Sequence, residues 1–184
     1  MQRVGADRRK IIVFSVVMIA LTALFVVIDQ LTKAYFKKAY SPSDEKYIID
    51  GFFYFTYTFN TGAAFSLFAD KPWGQLFFKI LTSVALVLFV LLFIFSLRKR
   101  YKLLTISLVF LISGALGNFI DRIRFDGVVD FIGLIFFGWK FPTFNIADTC
   151  MCVGVILIII HYFFIDKHAL FKKNDKKNVS DKQQ

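Results

Sequence analysis

Ile80–Leu97 (ILTSVALVLFVLLFIFSL) and Leu103–Ile120 (LLTISLVFLISGALGNFI) are two uncharged runs separated by Arg98, Lys99, Arg100, Tyr101 and Lys102. A helix that crosses a membrane needs about 20 mostly apolar residues, because the hydrocarbon core is about 30 Å thick and each residue rises about 1.5 Å. Each run can cross once, and neither is long enough to cross twice. Two more stretches qualify: Ile11–Ile28, without charge, and residues from about Phe144 to Ile165, with Asp148 near the start. The expected architecture is a membrane all-α bundle of four transmembrane helices.

Composition agrees with that reading. The chain has 184 residues, 57% hydrophobic, 18% aromatic and 20% charged, with a mean hydropathy of +0.62. A soluble domain carries about 45–50% apolar and about 25% charged residues, so this chain has too much apolar surface for one soluble core. Disorder of the whole chain is excluded by the same figures. Two cysteines cannot form a disulfide framework.

Orientation follows from the basic residues. Arg3, Arg8, Arg9 and Lys10 precede the first span, four basic residues link spans two and three, and Lys167, Lys172, Lys173, Lys176, Lys177 and Lys182 follow span four. With four spans these segments share one side, which the positive-inside bias makes cytoplasmic. The net charge of +10 is thereby explained by helix flanks and anionic lipid, and no nucleic-acid partner is expected. The first span lacks a small-residue cleavage site after it and is expected to be retained. Residues 1–10 form a basic cytoplasmic N-terminus, 11–165 the membrane domain, and 166–184 a basic cytoplasmic tail read as disordered. Outside the membrane, Lys46–Leu67 is rich in aromatic residues and Thr and partly alternates. That favours β-strand, so a small extracytoplasmic sheet at about residues 40–70 is expected on the bilayer surface, with Trp73 at headgroup level.

Polar residues collect at one depth. Asp29 lies 19 residues past Lys10, and Asp121 lies 19 past Lys102, which puts both about 28 Å from the cytoplasmic edge. Asp148 lies about one turn inside the same boundary. Asn118 with Asp121, and Asn145 with Asp148, are i, i+3 pairs that share a helix face. Small residues Gly114, Ala115 and Gly117 let helices approach. Ionisable residues at this depth are costly and mark a functional site by default. Asp29–Lys33 and Asp121–Arg122 also fit a plainer role as interfacial ion pairs that end helices.

Asp130 sits in an apolar stretch, Val128-Val129-Asp130-Phe131-Ile132, expected to fold back over the outer ends of spans three and four. Neither Asp130 nor Asp148 has an adjacent basic residue, whereas Arg122 and Arg124 follow Asp121. An apolar surround raises a carboxyl pKa and a nearby Arg lowers it. Asp130 and Asp148 are therefore the better pair to share one proton, with Asp121 organising Arg122; an Asp121/Asp148 pair remains the rival. Such a dyad hydrolyses peptides without metal, one carboxylate accepting a proton from water while the other polarises the carbonyl. Asn118, Asn145 and Arg122 could donate to substrate or to a developing oxyanion. No metal site or cofactor is expected: no HExxH is present, and Cys150 and Cys152 diverge on a helix. The rival from another class is a small proton or cation transporter, or an assembly factor.

Five segments carry a family likeness in order: Asp29-Gln30-Leu31-Thr32-Lys33; Asn60-Thr61-Gly62-Ala63-Ala64-Phe65; Gly114 to Arg122; Val128-Val129-Asp130-Phe131; and Phe144-Asn145-Ile146-Ala147-Asp148. On these residues the chain resembles bacterial lipoprotein signal peptidases, the signal peptidase II family, over about residues 11–165. The resemblance implies an aspartyl endopeptidase of the bacterial inner membrane that removes the signal peptide of diacylated prolipoproteins just before the lipidated Cys. It implies catalytic roles for Asp130 and Asp148. Substrate-binding or supporting roles fall on Asn60, Gly62, Asn118, Asp121, Arg122, Asn145, Ala147, Asp29 and Lys33. It further implies an extracytoplasmic β-cradle and inhibition by globomycin-type lipopeptides. Contact with membrane lipid and a monomeric state are also expected.

Overall fold

The computed structural model describes residues 2–42, 44–62 and 73–165, with residues 2–8 as backbone only. The expected tail and Ala63-Ala64-Phe65 lie outside the described residues. Among the described residues, four helices are long and apolar enough to cross a membrane: α1 Gln2–Ala39, α2 Gly74–Lys99, α3 Lys102–Phe125 and α4 Ile146–Ile160, the last continued by a π-helical turn His161–Ile165. Each contains one of the apolar runs. The first departs most from expectation. It continues well past Ile28, because Asp29, Lys33, Lys37 and Lys38 interrupt hydropathy without interrupting the helix.

Helix α3 is the hub. In its most apolar window 67% of residues are buried, against 6% for α1, 11% for α2 and 17% for α4, whose outer faces are left for lipid. Small residues make this possible: a methyl group at Gly114 would collide with the Ala147 carbonyl, and one at Gly154 with the Leu111 side chain. Helices in lipid associate through such close packing, not through hydrophobic exclusion.

The sheet has four antiparallel strands in the order β1-β2-β3-β4: β1 Glu45–Ile49, β2 Phe53–Asn60, β3 Val128–Phe136 and β4 Trp139–Lys140. It extends the expected one. Val128–Phe136 is a strand where a fold-back segment was expected, and it pairs with β2, opposing Thr58 to Asp130 and Asn60 to Val128. Alternation puts Val129 and Phe131 on one face. There they pack against Phe36 of α1, whose ring stacks on Phe131 at 4.4 Å. Asp130 therefore projects from the opposite face. Beyond it, the Phe131 and Ile132 amides donate to the Phe144 carbonyl, and the Phe144 amide returns to Ile132. This bridge ties β3 to the start of α4 and so brings Asp130 toward Asp148.

Candidate active site

Helix α4 begins with a capping box. The Asp148 amide donates to Asn145 Oδ1 (3.0 Å), and the Asn145 amide donates to Asp148 Oδ2 (3.1 Å). The reciprocal bonds satisfy two of the amides a helix start leaves open and fix Asp148 in the first turn. The Asn145 side-chain amide, fully buried, donates to Asp130 Oδ1 at 2.7 Å. One residue thus holds both carboxylates.

The other carboxylate oxygens are held by two more amides. Asn118 Nδ2 donates to Asp148 Oδ1 (2.7 Å), and Asn60 Nδ2 donates to Asp130 Oδ2 (3.1 Å). Each asparagine is oriented in turn. The Gly62 amide donates to Asn60 Oδ1 (2.9 Å) in a local turn, which leaves Nδ2 for Asp130. Asn118 Oδ1 accepts from Lys33 Nζ (2.9 Å) and from Asn145 Nδ2 (3.1 Å), which leaves its Nδ2 for Asp148. Asn118 and Asn145 thus grip the carboxylates.

Lys33 is the charged anchor. Its three donor positions meet three partners: Asn118, Asp29 Oδ2 at 2.8 Å and Asp121 Oδ2 at 3.2 Å. Lys33, Asp29 and Asp121 are each at most 2% exposed. Asp29 Oδ1 also accepts the Ala147 amide (2.9 Å), another open amide at the start of α4. Asp121 accepts from Gln30 Nε2 (2.9 Å) and the Val129 amide (3.2 Å). This corrects two expectations. Asp29 and Lys33 do not end a helix, and Asp121 is bonded to Lys33, Gln30 and β3, not to Arg122. Gln30, to which the sequence reading gives no role beyond its place in the Asp29–Lys33 segment, bonds Asp121 and the Gly117 carbonyl.

Arg122 donates from Nη2 to the Gly62 carbonyl (3.3 Å) and lies over the Phe78 ring at 5.4 Å. Its Nε is buried and makes no hydrogen bond among the described residues. Asp130 is 3% exposed. Burial, and secondarily the charge of Asp148, push its carboxyl pKa up to about 7. Uncharged amide donors thus fix both carboxylates, and Asp130 can keep its proton near neutrality. Among the described residues, no cluster of three or more His, Cys, Asp or Glu side chains could hold a metal ion.

Residues 21–164 match the model of a family described as signal peptidase (SPase) II. Two solved structures, both described as a bacterial membrane enzyme determined by the in meso method, are similar. One, at 2.3 Å resolution, is 36% identical over 78% of this chain and 85% of its own, with a TM-score of 0.69. The other, at 1.9 Å, is 34% identical over 82% of this chain and 94% of its own, with a TM-score of 0.70. The chain belongs to the signal peptidase II family of membrane-embedded aspartic peptidases, which cleave lipoprotein signal peptides.

Proposed function

We propose that the chain cuts diacylglyceryl-modified prolipoproteins just before the lipidated Cys, using Asp130 and Asp148 to activate water. The observation that carries this reading is the Asn145 clamp, with its side chain on Asp130 and its backbone amide on Asp148. One carboxyl of the pair, taken as Asp130, whose pKa burial raises to about 7, serves as the acid, and the other, Asp148, as the base. Asp148 takes a proton from water as the hydroxyl attacks the scissile carbonyl carbon, and Asp130 gives its proton to the carbonyl oxygen. The gem-diol then collapses: Asp148 passes its proton to the leaving nitrogen, the C–N bond breaks, and Asp130 recovers a proton from one hydroxyl. Arg122 Nε, at the edge of this constellation, is a candidate donor to the extended substrate.

In this reading the protein sits in the inner membrane with both termini cytoplasmic and the sheet on the periplasmic side. The signal helix lies among the spans and the acyl chains stay in the bilayer. Globomycin-type lipopeptides would compete for the same place. The test is cleavage of diacylated and unacylated prolipoprotein by purified protein, with and without globomycin. Asp130→Asn and Asp148→Asn should each lower the rate by roughly 10²–10⁴-fold while folding and insertion persist. Processing by either variant near the wild-type rate would overturn the dyad.

A further inference from the structure

On the sheet side, a groove of about 330 Å³ opens between the C-terminal ends of α1 and α3, lined by Lys37, Lys38, Arg124, Phe125, Ala34 and Val129 among others. The Phe125 ring lies between two cations, with Lys37 Nζ 3.7 Å from its centroid and the Arg124 guanidinium carbon 4.8 Å. Lys37, Lys38 and Arg124 form no ion pair among the described residues. The carboxylates nearby are already engaged. Asp121, in the groove floor, is held by Lys33, Gln30 and the Val129 amide, and Asp126 pairs with Lys79 at 2.6 Å.

We infer that this groove binds the phosphate of an anionic phospholipid headgroup. Helix ends alone do not account for its charge. Basic residues in a last turn offset the helix dipole, but each helix end carries only about half a negative charge. Two ends against three cations leave about two positive charges over. Depth fits as well. From Arg9 to Lys37 the helix rises about 42 Å, the thickness of a bilayer including both headgroup layers, so Lys37 stands at the far headgroup plane. Ala34 and the Phe125 ring supply apolar wall where a lipid's glycerol and acyl chains begin, a feature that free phosphate would not use. The cationic surplus favours a net anionic headgroup over a zwitterionic one.

Native mass spectrometry of the full-length protein, released from micelles carrying equal phosphatidylglycerol and phosphatidylcholine, tests this. Wild type should retain phosphatidylglycerol with roughly tenfold or greater preference. Lys37→Gln/Lys38→Gln/Arg124→Gln should bring that preference near unity, and Lys37→Arg/Lys38→Arg/Arg124→Lys should keep it. A triple-Gln variant that folds and keeps the wild-type preference would overturn the site. So would a loss no larger than that from Arg98→Gln/Lys99→Gln/Arg100→Gln at the opposite end. Inorganic phosphate displacing the lipid at equal concentration would overturn the lipid assignment. If the triple-Gln variant does not fold, Lys38→Gln and Arg124→Gln carry the test singly. Each should lower the preference by about fivefold, and no change in either would overturn it.

Discussion

Both ends of the bundle bury polar side chains, but they bond them differently. At the end without the sheet, the Ser96 and Ser107 hydroxyls return to carbonyls of their own helices, at Phe93 and Leu103, and the Thr105 hydroxyl lies within hydrogen-bond distance of both the Tyr101 carbonyl and Ser96 Oγ. The Ser96–Thr105 bond (2.9 Å) spans nine residues across the tight α2–α3 turn. At the sheet end, Lys33 reaches Asn118, Asn145 reaches Asp130, and the Ala147 amide reaches Asp29 across 118 positions. These hydroxyl bonds stay within one helix or cross one short turn. Long-range bonds between charged and amide groups tie α1, α3, β3 and α4 into one geometry. The costly polar groups sit where chemistry needs a fixed arrangement, and the inexpensive ones sit where only packing is required.

Breaking the charged end should have the largest effect. Lys33→Met leaves Asp29 and Asp121 facing each other without their cation. Removing one partner of a buried ion cluster costs about 3–5 kcal/mol, and here it also frees Asn118 to turn from Asp148. Unfolding in micelles should show the destabilisation, and cleavage should be lost. Adding Asp29→Asn and Asp121→Asn should restore much of the stability without restoring the rate. Recovery of both together would show that Lys33 acts on stability alone.

The dyad should reveal itself by pH. Asp130 has its pKa raised from 3.8 to about 7, so the folded state prefers the protonated form. Its contribution to stability is whole below the unfolded value and is lost as pH rises to about 7, at about 1.4 kcal/mol per pH unit. Asp130→Asn should flatten that slope in unfolding measured across this range. Wild-type kcat/KM should fall about tenfold per unit above pH 7, as the acid deprotonates. A rate flat to pH 9 would remove Asp130 from the acid role.

Packing comes next. Gly114→Ala pushes a methyl into the Ala147 carbonyl and Met151, backbone that can yield only if α4 moves. Overpacking of this kind costs about 1–3 kcal/mol. Because α4 carries Asn145 and Asp148, the rate should fall further than stability alone accounts for, as a kcat loss at unchanged fold.

These contrasts show what the sequence could and could not reveal. Long apolar runs, three of them charge-free, mark the four helices, because lipid demands them. Helix α1 runs past its apolar stretch because Lys33 is neutralised by residues of α1 and α3 together, and α3 lies too far along the chain for any window to see. Strand β3 hid because Val128–Phe131 is buried on both faces, so the alternation that signals a half-exposed strand is missing. The pairing of Asp121 with Arg122 failed on geometry: adjacent residues on a helix do not face each other. By contrast, the i, i+3 spacing of Asn145 and Asp148 correctly signalled a shared face, and it could also have been read as a capping box. Depth along the helices marked the carboxylates, but the three asparagine amides that orient them depend on tertiary contacts.

The opposite end supplies the smallest effect and the sharpest control. Ser96 is fully buried, donates to the Phe93 carbonyl of its own helix, and meets Thr105 across the turn. A polar bond between helices in a membrane is worth about 0.6 kcal/mol on average. Ser96→Ala should therefore lower stability by about that much, and cleavage should stay at the wild-type rate because no bond from Ser96 leads toward Asn145. A large loss of rate in Ser96→Ala without loss of fold would mean that the two ends are coupled through α3, and that the difference between local and long-range bonding does not separate packing from chemistry.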